Sequence, residues 1–316
     1  MDKLKNFVES LKNADVLGRS DDILDELIQH DDQDKAKLSL LKELEKKPKS
    51  ANMLFAMGYL LFKKEEYSTA LEYYDRFLDI KHDDTVIYNK AEILIEYLHD
   101  PEEGLKTIES FRGDGGLEQN IQELKAIALL DLEKFSECEK ICMKIIKDNS
   151  SALGCIRTYA DCCYEQEHFQ KSFDLNEKIL EQDSTDIYAQ NNKADLLIRL
   201  GKYDEALKIS NDLISQNSSD ELALANKGEA LIKKSQFNDA IIILQNSISI
   251  DSTYDEAWIL LAKAQAHQNL EEDALDSLLV ATSLEPELLD ELKDNSFDNI
   301  RNHERFQRLI SKQSET

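Results

Sequence analysis

The sequence predicts an all-α repeat array, and three observations carry that prediction: scarce turn formers, a 34-residue period, and apolar residues three and four apart within each period. In 316 residues there are only 9 Gly and 3 Pro, too few to supply the turns of a many-stranded sheet. Hydrophobic residues make up 41% and charged residues 32%, which suits a packed core beneath a highly charged exterior and argues against wholesale disorder.

The period shows first in aromatics that open a four-residue motif: Tyr67, Phe135, Phe169, Tyr203 and Phe237. Their steps are 68, 34, 34 and 34 residues, and Pro101 stands where the missing member belongs. Small residues follow the same count at Ala36, Ala70, Gly104, Cys138, Ser172, Ala206, Ala240 and Ala274. Within a period the apolar stripe is helical, as in Leu54, Met57, Gly58 and Leu61, then Ala70, Tyr74, Phe77 and Leu78. Breaks near Lys64-Glu65-Glu66 and His82-Asp83-Asp84 divide it into two amphipathic helices. Each unit is thus expected to be a helix hairpin. Small residues on the first helix (Gly58, Ala194, Gly228, Ala262) should face Ala70, Ala206, Ala240 and Ala274 on the second, because a large side chain there would force the axes apart.

Eight units follow in order: 17–50, 51–84, 85–118, 119–152, 153–186, 187–220, 221–254 and 255–288. The first keeps the pattern only in its second half, through Ala36, Leu40, Leu44 and Pro48. In the third, Asn89-Lys90-Ala91-Glu92 comes one residue earlier than Asn192-Lys193-Ala194-Asp195 and Asn226-Lys227-Gly228-Glu229 require. That offset predicts one extra residue in the hairpin turn near Pro101. Gly113 to Gly116 reads as a flexible loop. Residues 1–16 are expected to form a capping helix, with Leu4, Phe7, Val8 and Leu11 on one face, since a solenoid must cover its terminal apolar flank. Residues 289–316 are expected to close the other end through Phe297, Ile300, Phe306 and Leu309.

A 34-residue helix-turn-helix unit with Leu54-x2-Met57-Gly58-x2-Leu61 and then Ala70-x3-Tyr74 resembles the tetratricopeptide repeat. Trp258 fills the tryptophan slot of the last unit, and Pro48 and Pro286 fill the proline slot of the first and eighth. The segment SFDNIRNHERFQRLI at 296–310 is similar to the closing segment that follows tetratricopeptide arrays. The resemblance covers 17–288 and implies a right-handed α-α superhelix whose first helices line a concave, segment-binding groove.

Charge narrows the partner. With 38 Lys+Arg against 64 Asp+Glu, the net charge is −26, so neither nucleic acid nor an anionic membrane is an expected partner. No apolar run approaches the roughly 18 residues of a membrane span. The opening residues carry no apolar signal core, and five cysteines between Cys138 and Cys163 suit reduced thiols, so a cytoplasmic location is expected. No nucleophile elbow, phosphate loop, dinucleotide fingerprint or zincin motif occurs, so neither enzyme activity nor a cofactor is expected. The cysteines fall mainly in interior slots and read as core, with a metal or redox sensor as the remote alternative.

Side chains not needed for hairpin packing are the candidates for contact. Phe55, Tyr59 and Phe62 form a stripe that Tyr88 would extend, a set of apolar anchors. Asn89, Asn192 and Asn226 recur on first helices, and an amide can grip a peptide backbone whatever its sequence. Arg157 begins a cation-and-amide set like that of the family's carboxylate clamps, but Asp161 and Asp195 would repel an incoming carboxylate. Asp161, Asp195 and Glu229 suit a Lys/Arg-containing segment instead. Residues 251–300 hold 13 acids and 2 bases, whereas 301–316 hold 4 bases and 2 acids, so the acidic last unit is a further docking candidate. The expectation is a non-enzymatic scaffold or adaptor that binds a basic or apolar protein segment in its groove. The alternative is a structural subunit whose groove is filled by an assembly partner or a second copy of the chain.

Overall fold

The computed structural model describes residues 33–113 and 116–312. The proposed N-terminal cap, the first helix of the first unit, and part of the Gly113–Gly116 loop lie outside these. Contacts divide the chain into two compact units, with the boundary between Thr158 and Tyr159.

The first unit opens with α1 (Gln33–Lys46), followed by the hairpin α2 (Ala51–Lys63) and α3 (Tyr67–Leu78). Next come α4 (Asp84–Glu92), continued by a π-helical turn over Ile93–Tyr97, and α5 (Pro101–Ile108), then α6 (Glu118–Asp131) and α7 (Phe135–Asp148). Helix α8 (Leu153–Glu165) spans the boundary. The second unit holds α9 (Phe169–Gln182) and three hairpins: α10 (Ile187–Arg199) with α11 (Tyr203–Gln216), α12 (Glu221–Lys233) with α13 (Phe237–Ile250), and α14 (Asp255–His267) with α15 (Glu271–Leu284). Two 3-10 segments, Pro286–Lys293 and Asn295–Phe297, lead to α16 (Glu304–Lys312). Among the described residues no helix is long and apolar enough to cross a membrane.

The hairpins owe their regularity to three recurring devices. The small slots at 36, 70, 104, 138, 172, 206, 240 and 274 are all buried, as close helix approach demands. Several helices start from an aspartate whose carboxylate accepts a backbone N–H, as Asp186 does from Ala189 (2.9 Å) and Asp220 from Ala223 (2.9 Å), the usual N-cap device. Each hairpin turn contains one residue in the left-handed region: Glu65, His99, Glu133, Glu167, Gly201, Ser235 and Asn269, with φ from 50° to 76°. These seven positions are 34 residues apart throughout.

The turn register also corrects the third unit. His99 stands where the period puts it, so the extra residue is not in the hairpin turn. The π-helical turn at Ile93–Tyr97 absorbs it inside the first helix, a wider loop of backbone hydrogen bonds that accommodates one added residue. A second correction concerns packing. A Cβ on Gly58 would lie 2.5 Å from Tyr74 Cε1, and one on Gly228 2.5 Å from Leu244 Cδ2. The closest neighbour of each glycine is therefore the large residue one turn beyond the small slot, which needs the space.

At the C-terminal end Leu292, Phe297, Ile300, Phe306 and Leu309 are buried against Ala274, Leu275, Leu278 and Ala281 of α15. Arg305 pins this closure to the preceding helix through Glu272 (2.7 Å) and Asp276 (2.5 Å). The closing segment is thus a cover for the apolar flank of the last hairpin.

Candidate functional site

In the first unit the predicted aromatic stripe is divided. Phe55 is 1% exposed and packs on Tyr74 and Phe77 at centroid distances of 6.4 and 6.3 Å. It is a core residue and not a surface anchor, because the hairpin closes over that helix face. Tyr59 is also buried, with the Lys63 ammonium 5.2 Å from its ring centre. Asn89 is buried too, and its amide donates to Tyr74 Oη at 3.5 Å. Phe62 is half-buried and joins Tyr97 edge-on at 5.5 Å and Tyr67 at 6.2 Å. Tyr67 and Tyr97 stack at 4.7 Å, and Tyr97 remains 42% exposed. The half-buried Tyr88 donates to Glu92 at 3.3 Å. Burial and the Glu92 charge raise its phenol well above the usual range. Arg157, on α8, is half-buried.

Cys138, Cys142 and Cys155 are all buried in this unit, and Cys162 and Cys163 are buried in the second. Contacts from Cys138 and Cys155, with burial, push the Cys142 thiol strongly upward, and a thiol so held stays protonated and unreactive.

The second unit brings together four of its five predicted residues. Asp161 on α8, Asn192 and Asp195 on α10, and Asn226 on α12 line one recess of about 290 Å³ with Tyr164, Tyr188, Leu222, Tyr254 and Glu256. The spacing explains the convergence: first helices stack side by side, so positions 34 residues apart in sequence become neighbours across the groove. Tyr188 donates to Asp161 (3.4 Å) and Tyr254 to Glu256 (2.6 Å). The Asn226 amide donates to the Asn191 carbonyl at 3.1 Å, tying α12 to α10.

Arg199 is the cation beside this cluster, at 3.1 Å from Asp195, 3.4 Å from Glu229 and 4.0 Å from Glu256. Glu229, the fifth predicted residue, is 5% exposed and works as a partner for Arg199 and Lys233 (3.7 Å). Burial chiefly, and then Glu229 and Asp195, raise the Glu256 carboxyl above its ordinary range. Tyr164, whose phenol is raised by burial and by Asp195, also lines the recess. The sequence reading did not single out Tyr164, Tyr188, Arg199, Tyr254 or Glu256. Their signal was available, since Glu256 and Tyr188 are the residues that 34-residue stacking sets beside the predicted acids.

Comparison with known proteins agrees with this geometry. A tetratricopeptide repeat family model matches residues 187–220, the α10–α11 hairpin. A tetratricopeptide repeat protein from Parabacteroides merdae is similar in structure, with 16% identity, 83% of this chain and 98% of that chain covered, and a TM-score of 0.63. TTC0263 of Thermus thermophilus shares 13% identity over 54% of this chain and 94% of its own, with a TM-score of 0.49. YrrB, a tetratricopeptide protein with an unusual peptide-binding site, shares 17% identity over 68% of this chain and all of its own, with a TM-score of 0.41. No curated protein matches the sequence. The fold and the repeat define a helix-hairpin repeat protein. Within that class the chain is a tetratricopeptide repeat protein, of a kind usually non-catalytic and generally used as a protein-interaction scaffold.

Proposed function

We propose that this chain is a non-enzymatic scaffold that holds an extended or helical protein segment against its first helices, principally at the recess of the second unit. One observation carries the reading: side chains from three successive first helices, Asp161, Asn192 with Asp195, and Asn226, line a single recess. A segment laid across α8, α10 and α12 would meet polar groups at each helix. Hairpin packing does not need the exposed Tyr188 and Leu222, which are available as apolar contacts. We read 17–288 as eight repeats, capped by 1–16 and 289–316, and assign the chain to the cytoplasm because five unpaired thiols suit a reducing compartment.

The test is capture of binding partners by the full chain and by Asn192→Ala/Asn226→Ala. Partners lost with the variant support the groove; a partner set unchanged by it rejects the groove. The structural-subunit reading draws on a different observation, the exposed Tyr97 and Leu98 beside the Phe62–Tyr67 cluster. It requires a stable dimer or complex, so a monomer at micromolar concentration by analytical ultracentrifugation rejects self-assembly.

A further inference from the structure

The polar wall of the second unit's recess is composed almost entirely of hydrogen-bond acceptors. Its lining includes the carboxylates of Asp161, Glu165, Asp195 and Glu256 and no Lys or Arg. The hydroxyl protons of Tyr188 and Tyr254 are already given to Asp161 and Glu256, leaving only lone pairs on those oxygens. The Asn226 amide proton is likewise given to the Asn191 carbonyl. Arg199, the adjacent cation, is held by Asp195 and Glu229.

A second observation is independent of the acids. Asn191 also lines the recess, is 4% exposed, and donates through Nδ2 to both oxygens of Asp220 (3.4 and 3.3 Å). That fixes the amide orientation, yet its Oδ1 is buried without a donor. An unmatched buried acceptor is costly, and here it stands beside acceptors that also lack a cation.

A donor-only ligand fits such a wall. Among protein side chains only ammonium and guanidinium groups donate several hydrogen bonds and accept none, and a tyrosine-lined pocket further favours a cation through the negative face of the ring. We propose that this recess receives the charged head of a lysine or arginine side chain of the partner segment, between Asp161, Asp195 and Glu256. The inference rests on the groove reading above and names the chemistry that the groove selects.

Twelve-residue peptides displayed on phage are selected on the full-length chain, and individual peptides are then titrated by fluorescence anisotropy. The expected result is a Lys or Arg at one fixed register. Its replacement by Gln should weaken binding at least tenfold, as should Asp161→Asn/Glu256→Gln, with no further loss when the two changes are combined. Exchange of Lys and Arg in the peptide distinguishes the two head groups. If the double variant melts early by circular dichroism, Asp161→Asn alone, at a half-buried carboxylate, serves in its place. Peptides that need Asn192 but carry no basic residue, or that ignore the neutralised carboxylates, overturn the proposal while leaving the groove reading intact. Peptides indifferent to Asn192→Ala and to the neutralised carboxylates alike defeat both.

Discussion

Gly228→Ala should have opposite effects on stability depending on what stands at position 244. In the native sequence the new Cβ would lie 2.5 Å from Leu244 Cδ2, 2.6 Å from Cγ and 3.2 Å from Cδ1. Ordinary carbon contacts are about 3.5–4.0 Å, so the overlap is about 1 Å and involves Cγ, which cannot move without turning the whole side chain. Leu244 is fully buried. Overpacking of this kind costs about 1–3 kcal/mol, while alanine in place of a mid-helix glycine returns about 1 kcal/mol. The net expectation is a loss of about 1–2 kcal/mol. Leu244→Ala alone should cost about 2–5 kcal/mol. In that background the obstacle is gone, so Gly228→Ala should stabilise by about 1 kcal/mol, giving a coupling of about 2 kcal/mol for residues in contact. Urea midpoints of the four proteins, followed by circular dichroism, measure the cycle. A Gly228→Ala change that stabilises equally in both backgrounds would show slack between α12 and α13 and refute the close-approach account.

Other consequences can be checked with the same methods. The left-handed turn residues Glu133 (φ 54°) and Glu167 (φ 58°) should each gain about 1 kcal/mol on substitution by Gly, and Gly201→Ala should lose a similar amount, because a Cβ is disfavoured there; equal midpoints would contradict this. Arg199→Met should destabilise the chain by about 1–3 kcal/mol, since it leaves the buried Glu229 facing Asp195 without their shared cation; an unchanged melting temperature would count against that. The raised Glu256 carboxyl sets a pH direction. Its folded-state value lies above the unfolded one, so on acidification the folded protein takes up that proton first. The unfavourable charge of Glu256 among Tyr254, Glu229, Asp195 and Arg199 is then relieved. Binding of a basic peptide should therefore weaken as pH falls toward the carboxylate range, and Glu256→Gln should flatten that dependence; a profile identical in the variant would be inconsistent with Glu256 as its source.

The period of 34 and the alternating apolar stripes made the hairpins legible because a repeat presents the same packing problem many times, so small slots such as Ala206 and Ala240 stand out. The third unit was harder. A count of residues locates an insertion between Ala91 and Gly104 but not within that span, and only the backbone shows that a π-helical turn takes it. The groove was legible where a polar residue recurred at one phase, as with Asn192 and Asn226. Phe55 was misplaced because the helix in which it lies is apolar on several faces. Nine successive positions, Met53–Leu61, are buried, so spacing alone does not distinguish the side toward α3 from the side toward the groove. Arg199 and Glu256 escaped because their importance comes from meeting each other across helices.

The π-helical turn bears on how such chains can change in length. A residue inserted into a continuous α-helix would rotate everything downstream by about 100°, exchanging inward and outward side chains. Confined to Ile93–Tyr97, the insertion leaves Ala91 buried on one side and His99 in its turn on the other. What the array preserves is angular phase, and residue number is free to drift. Deletion of Glu96, an exposed member of that turn, should accordingly return the helix to ordinary winding with little change in melting temperature, a form of length variation open to natural chains as well.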